Sequence, residues 1–272
     1  AKGPHFLWLA YNAPHQPWNA PARFLERYKG RNAELAPPGF PQSPPAEGRS
    51  GFGGQNTLGG RFNWETYYAV ITHLDEAIGR VVAAIEKKGE WDNTLLVFLG
   101  DNGYLCGHKG LQGKVYPWEE SVRVPLFVSG GLVRRSGARS AALAASIDLP
   151  ATFLDYAGLR SSHAMTGVSL RPAIEGKRLA RDCAFAAWND GRPEALAINF
   201  RVEPYRLVRT DAWKYIVWES KKEALYDLKA DPGEDRNLLT DASAARPLAQ
   251  MRDRLRRRMR ATNDPALAWL PA

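Results

Sequence analysis

Three polar segments of this chain carry side chains able to bind an anion, hold a cation or move a proton. Asp101-Asn102-Gly103 comes directly after the apolar run 95–99 (LLVFL). A carboxylate beside an amide oxygen offers two hard donors of the kind Ca²⁺ and Mg²⁺ take. The tripeptide by itself is more often a plain turn. His15 follows a second apolar run, 6–11 (FLWLAY), and is bracketed by Pro14 and Pro17. Prolines stiffen such a loop, and an imidazole presented from it can donate to an anion or protonate a leaving oxygen. A lone loop histidine is nonetheless more often an ordinary surface residue. Lys114 closes the Gly-rich loop that opens at Asp101, where an ammonium can neutralise charge on a transferred group. In a basic protein a single lysine is weak evidence. Trp18, just after the His15 loop, can line a pocket or simply anchor the loop, as can Trp64 and Trp118.

The elements expected to position these groups are an α/β set. Residues 6–11 and 95–99 read as strands buried on both faces, because their apolar runs are nearly continuous. Ligands in open α/β sheets gather at the carboxyl ends of such strands, which is where His15 and Asp101 stand. Residues 22–28 allow one or two helical turns, and 31–60, rich in Pro and Gly, read as a long irregular excursion. Asn63 caps a helix running to about Lys88. Its Val70, Ile71, Leu74, Ile78, Val81, Val82 and Ile85 recur with a period of 3.6 residues. A third strand is expected at 124–128 and a helix at 144–156. From about residue 183 the texture changes to short strands at 183–188, 195–199, 205–209, 213–218 and 224–228, a small antiparallel sheet. A helix over 245–261 closes the chain. The division expected is 1–175 for the α/β part and 176–272 for the smaller part.

Composition sets the bounds. The 272 residues are 44% hydrophobic and 24% charged, enough for a sizeable core. Thirty-seven basic against 29 acidic residues leave a net charge of +8. That excess favours anionic ligands but is too dispersed to demand nucleic acid. Its densest stretch, 252–260, has Met251, Leu255 and Met259 at helical spacing and reads as a solvated helix face. No apolar run is long enough for a transmembrane helix. The start at Ala1, with neither an initiator Met nor a leader, is what a piece cut inside a domain would show. Cys106 and Cys183 lie in no metal-like or disulfide-framework spacing. Cys106, inside the polar loop, raises the question of a nucleophile, but a bystander is the simpler reading.

Taken in order, several blocks resemble the sulfatases of the alkaline phosphatase superfamily. They are 6–17 (FLWLAYNAPHQP), 67–80 (YYAVITHLDEAIGR), 91–94 (WDNT), 100–104 (GDNGY), 110–114 (GLQGK) and 119–126 (EESVRVPL). The tail adds 213–216 (WKYI), 225–228 (LYDL), 231–234 (DPGE) and Asn237-Leu238. The resemblance implies an alkaline phosphatase-like sheet, mostly parallel or mixed and incomplete here, between helices, followed by a small antiparallel sheet and a C-terminal helix. It implies a metal-dependent sulfuric ester hydrolase. Asp101 and Asn102 would be ligands of a divalent cation, usually Ca²⁺, with Mg²⁺ or Mn²⁺ as alternatives. Lys114 would contact the sulfate, and His15 would stand beside the leaving oxygen. The family's nucleophile is a formylglycine made from a Cys/Ser-x-Pro-x-Arg motif. Neither Cys106-Gly107-His108 nor Cys183-Ala184-Phe185 matches that motif, and Ser43-Pro44-Pro45 lacks its Arg. The nucleophile, the acidic metal ligands of the first strand and a Lys-x-His segment are therefore expected upstream of His15. His108-Lys109 departs from the acidic-residue-then-His order of relatives, which leaves His108 a candidate substrate contact or a polar loop residue. The substrate implied is a carbohydrate or aryl sulfate, and family habit places such enzymes in the periplasm or outside the cell. Two other readings stay open: a phosphoester or phosphonate hydrolase of the same superfamily, and a non-catalytic remnant that binds anions. Asn102 weighs against the first, since those relatives more often have Asp-His.

Overall fold

A computed structural model describes residues 3–40, 62–111, 113–189 and 202–271. The strand expected at 195–199 and most of the excursion at 31–60 lie outside them. The chain forms two compact units, one of residues 1–91 with 105–113 and the other of 92–104 with 114–272.

In the first unit, single helical turns α1 (Ala22–Leu25) and α2 (Asn32–Leu35) pack on the long helix α3 (Trp64–Lys87). Asn63 caps α3 as expected: its side chain accepts from the Thr66 amide at 2.7 Å. The buried face is narrower than the apolar period suggests. Trp64, Ala69, Val70 and Leu74 are buried, whereas Ile71 is exposed and Ile78 to Ile85 are no more than half-buried. Phe24 of α1 stacks on His73 with ring centroids 5.0 Å apart, which gives His73 a packing role.

Residues 6–11 correct the sequence expectation. They are extended but belong to neither sheet, and Phe6 and Trp8 are 67% and 73% exposed. A strand buries both faces only where neighbouring strands flank it, and the described residues place no paired strand beside this one. Four large apolar side chains, Phe6 to Leu9, thus line an extended exposed backbone. The 272-residue chain by itself is expected to self-associate, because such a segment is a template for apolar and edge-to-edge contact. Light scattering coupled to size exclusion checks this. A monodisperse monomer would show that the exposed run carries no such tendency.

The second unit holds both sheets. Strands β1 (Leu96–Leu99) and β2 (Leu126–Ser129) pair antiparallel, Leu96 opposite Ser129 and Leu99 opposite Leu126. The mostly parallel or mixed sheet that was expected is not seen among the described residues, where this pair is antiparallel. A parallel pair needs a crossover of a dozen or more residues, usually a helix. The described residues of 100–125 instead fold back with a short 3₁₀ turn and the four-residue helix α4 (Glu119–Val122). The ladder continues past β1, where the Gly100 amide donates to the Pro125 carbonyl at 3.2 Å. Both strands are at most half-buried rather than covered on two faces. Their inner sides, Val97, Leu99 and Leu126, pack with Leu149, Leu170 and Leu179 near helices α5 (Leu149–Tyr156) and α6 (Arg171–Ile174).

The second sheet matches expectation closely: β3 (Ala184–Trp188), β4 (Tyr205–Arg209), β5 (Trp213–Trp218) and β6 (Glu223–Asp227) form an antiparallel meander in chain order. Alternation of side chains assigns each face. Val208, Tyr215, Val217 and Leu225 meet Met251, Leu255 and Met259 of helix α7 (Ala245–Ala261). Tyr205, Leu207, Ile216 and Tyr226 on the opposite face meet Trp118 and Val122. The arginines of α7 are largely engaged, Arg252 with Glu223 at 2.7 Å and Arg254 with Asp182 at 2.7 Å. No helix of the described residues is long and apolar enough to cross a membrane.

Candidate functional site

The Asp101 loop is built by the strand before it and the short helix after it. Once β1 ends, Gly100 is still hydrogen-bonded to Pro125, so the next residues leave the sheet from a fixed point. Asp101 is exposed and its Oδ1 accepts from the Asn102 amide at 2.8 Å, a local bond that turns the chain. Gly103 then donates its amide to the Ser121 carbonyl at 2.9 Å. Its backbone lies so close to α4 that an added Cβ would overlap the Glu120 carbonyl oxygen. Gly103 is therefore present for close approach rather than for an unusual φ. Gly103→Ala is expected to destabilise the protein by about 1–3 kcal/mol, by forcing the Asp101 loop off α4. A thermal melt of the variant checks this, and an unchanged transition would mean the loop has slack.

Asp101 and Asn102 supply hard oxygens in sequence, which suits Ca²⁺ or Mg²⁺, but Ca²⁺ takes roughly six to eight oxygens. Among the described residues no group of three or more His, Cys, Asp and Glu side chains is arranged to hold a metal. These residues fit one side of a cation site in kind, and not a whole site in number.

Lys114 belongs to the same unit as Asp101 and Asn102. It is half-buried and precedes Val115, whose φ is +70°, an uncommon and strained value for a β-branched residue. The chain from Tyr116 to Glu119 is then gripped by the second sheet. Tyr205 Oη donates to the Tyr116 carbonyl at 3.2 Å, and Lys214 Nζ donates to the Pro117 carbonyl at 3.0 Å. Glu234 Oε2 accepts from the Glu119 amide at 2.7 Å. Lys214, fully buried on β5, forms ion pairs of 2.8 Å with both Glu119 and Glu234, and Arg209 reaches Glu119 at 3.1 Å. Burial works against ionising Glu119, yet Lys214 and Arg209 together hold its carboxyl below the usual range. Burial pushes the Glu234 carboxyl above its ordinary value, and Lys214 offsets this only in part. Lys214 lies within the 213–216 block, whose resemblance implies no role for it. The available signal was a lysine alone in an aromatic and β-branched strand, at a position whose neighbours on both sides are core.

The remaining candidates, Trp118 apart, lie in the first unit. His15 is exposed, and its Nδ1 is 2.8 Å from the Gln16 carbonyl. A carbonyl only accepts, so Nδ1 carries a proton and Nε2 is the ring nitrogen left with a lone pair. Its amide is tied to the Asn12 carbonyl at 2.8 Å, and the Ala13–Pro14 and Gln16–Pro17 bonds are both cis. Trp18 is buried; its Nε1 donates to the Pro14 carbonyl at 3.1 Å and its ring meets Phe62 edge-on at 4.8 Å. That geometry makes Trp18 the anchor of the His15 loop. Phe62 passes the contact to Trp64 at 5.2 Å, Trp64 to Phe40 at 5.8 Å, and Phe40 stacks on His108 at 5.1 Å. The Trp18 and His108 loops are thus joined by a continuous row of aromatic rings. His108 starts a short 3₁₀ turn after Gly107, in a loop where Cys106, Gly107, Lys109 and Gly110 all have positive φ. Trp118, in the second unit, packs on Tyr226 at 5.7 Å.

Both cysteines are thiols. Cys106 is buried, and the Cys183 thiol is pushed up to about 11 by burial and the neighbouring Asp182. A thiol so shifted is protonated at neutral pH and is a poor nucleophile.

The family model Sulfatase matches residues 1–159, and the model N-sulphoglucosamine sulphohydrolase, C-terminal, matches residues 107–261. An N-acetylglucosamine-6-O-sulfatase of Bacteroides thetaiotaomicron is 33% identical over 186 residues, covering 66% of this chain and 32% of that protein. A Bacteroides fragilis protein described as a candidate sulfatase superposes with a TM-score of 0.75 at 25% identity, covering 96% of this chain and 54% of its own. A phosphonate monoester hydrolase from Silicibacter pomeroyi superposes with a TM-score of 0.63 at 27% identity, covering 72% of this chain and 40% of its own. The chain therefore spans about half or less of the length of these relatives. With the first family model matching more than half of its residues, the chain belongs to the sulfatase family.

Proposed function

We propose that the protein containing this chain is a sulfuric ester hydrolase that works with a divalent cation. The observation that carries the reading is the Asp101-Asn102 pair, held at the carboxyl end of β1 by the contact of Gly103 with α4. Asp101 and Asn102 would hold the cation, Ca²⁺ by family habit, with Mg²⁺ and Mn²⁺ as alternatives. Bound there, the cation would withdraw charge from the ester's equatorial oxygens. Lys114 supplies an ammonium for the same developing charge. His15, with Nδ1 donating to Gln16, presents Nε2 to the departing oxygen and in its protonated form hands over a proton. His108 is assigned to substrate contact, and Trp18 keeps the His15 loop in place. The formylglycine nucleophile and the other cation ligands are assigned to sequence beyond these 272 residues, because no segment here carries the Cys/Ser-x-Pro-x-Arg pattern. In this reading residues 1–175 are part of the catalytic domain and 176–272 a smaller subdomain, and the protein acts in the periplasm or outside the cell.

Similarity to the N-acetylglucosamine-6-O-sulfatase favours a sulfated carbohydrate over an aryl sulfate as substrate. Hydrolysis of phosphonate monoesters is the second reading, favoured by likeness to the Silicibacter pomeroyi enzyme. Asn102 speaks for the first. The deciding experiment gives the complete protein a 6-O-sulfated glucosamine, an aryl sulfate and an aryl phosphonate monoester in parallel. Sulfate release is expected to dominate, and preferential turnover of the phosphonate would overturn the sulfatase reading.

A further inference from the structure

Lys214 is the fully buried charge around which two carboxylates are arranged. It opposes Arg209 across the β4–β5 ladder, so both cations rise from one face of the sheet. That face packs on Trp118 and Val122, the segment that follows Lys114. Tyr205, Lys214 and Glu234 each hold a backbone group between Tyr116 and Glu119, and Lys214 with Arg209 also holds the Glu119 side chain. Two residues further on, Ser121 accepts the hydrogen bond from Gly103. The segment 114–121 therefore has Lys114 at one end and the support of the Asp101 loop at the other, with the buried ion cluster between.

Taking so many charges out of water is not the cheapest way to fill a core, since apolar groups of similar volume often serve as well or better. What the ions add is direction: each bond fixes one backbone atom of 116–119 at a set distance from the sheet. Val115 adds to the case, because its φ of +70° persists only where the surrounding structure over-determines the backbone.

We propose that Lys214, with Glu234, is a positioning residue that acts through Lys114. It fixes where the Lys114 ammonium stands relative to Asp101 and Asn102. The proposal rests on the reading of Lys114 given above.

The test is a double-mutant cycle in the complete protein, with the sulfate ester it turns over best. Lys214→Met with Glu234→Gln removes one ammonium and one carboxylate together. It leaves Glu119 paired with Arg209 and an amide oxygen to accept the Glu119 N–H. The expected result is a kcat lowered on the order of 10- to 100-fold, as for a displaced catalytic group, with little change in melting temperature. In a Lys114→Ala background the same pair is expected to have almost no further effect. A purely structural role would lower activity by the same factor in both backgrounds, and that result overturns the proposal. So does an unchanged kcat in the double variant. If the double variant does not fold, Glu234→Gln alone enters the same cycle, with a smaller loss expected that again vanishes without Lys114. Full activity of Lys114→Ala itself would instead bring down the reading of Lys114, which separates the two failures.

Discussion

Asp101→Ala is expected to lower sulfate-ester turnover by the complete protein on the order of 10³-fold while leaving its melting temperature almost unchanged. Stability is spared because Asp101 is exposed, and its one internal bond is the local turn to the Asn102 amide. Activity is not spared, because the proposal gives this carboxylate the anionic donor's place in the cation site. The variant should also bind Ca²⁺ more weakly by calorimetric titration. Asn102→Ala is expected to act in the same direction with a smaller loss, since an amide oxygen carries no net charge. Full turnover with unchanged cation affinity in Asp101→Ala would remove this loop from the chemistry, whatever the family resemblance implies.

Asp148→Ala should behave in the opposite way, with a large effect on stability unrelated to any reacting group. Asp148 is completely buried and accepts from the two terminal guanidinium nitrogens of Arg181 at 2.5 and 2.6 Å. The same carboxylate accepts from the Ala145 amide at 2.8 Å and the Val168 amide at 3.0 Å. One side chain thus fixes the approach to α5, the loop before α6 and the chain at Arg181. Its removal leaves a largely buried guanidinium and two amides without their acceptor, a loss of about 3–5 kcal/mol. The urea midpoint is expected to fall at unchanged slope. A pairwise replacement, Asp148→Leu with Arg181→Met, should recover part of that loss, because it leaves no unpaired charge. A single variant as stable as the parent would mean that water replaces the carboxylate at little cost.

How much of this was legible beforehand depends on the range of the interaction. The long helix α3 with its Asn63 cap, strands β4 and β5, and helix α7 fall where the sequence pattern puts them. The loop ends that carry His15, Asp101 and Lys114 were legible too, since they follow from apolar runs punctuated by Pro and Gly. The pairing of β1 with β2 was not. Residues 95–99 read as a fully buried strand, but an apolar run does not say which strand lies beside it or how many layers cover it. The same gap explains residues 6–11, equally apolar and yet exposed outside both sheets.

The sequence by itself determined the local elements, the family and the residue types offered to a cation and an anion, because periodicity, caps and motif order are written within a few residues. Tertiary structure alone decided which charges are buried and what they hold. Lys214 meets the Pro117 carbonyl 97 residues away in the chain, and Arg181 meets Asp148 across 33. A charge enters a core only where its partners already stand, and those partners are brought there by folding rather than by sequence neighbourhood.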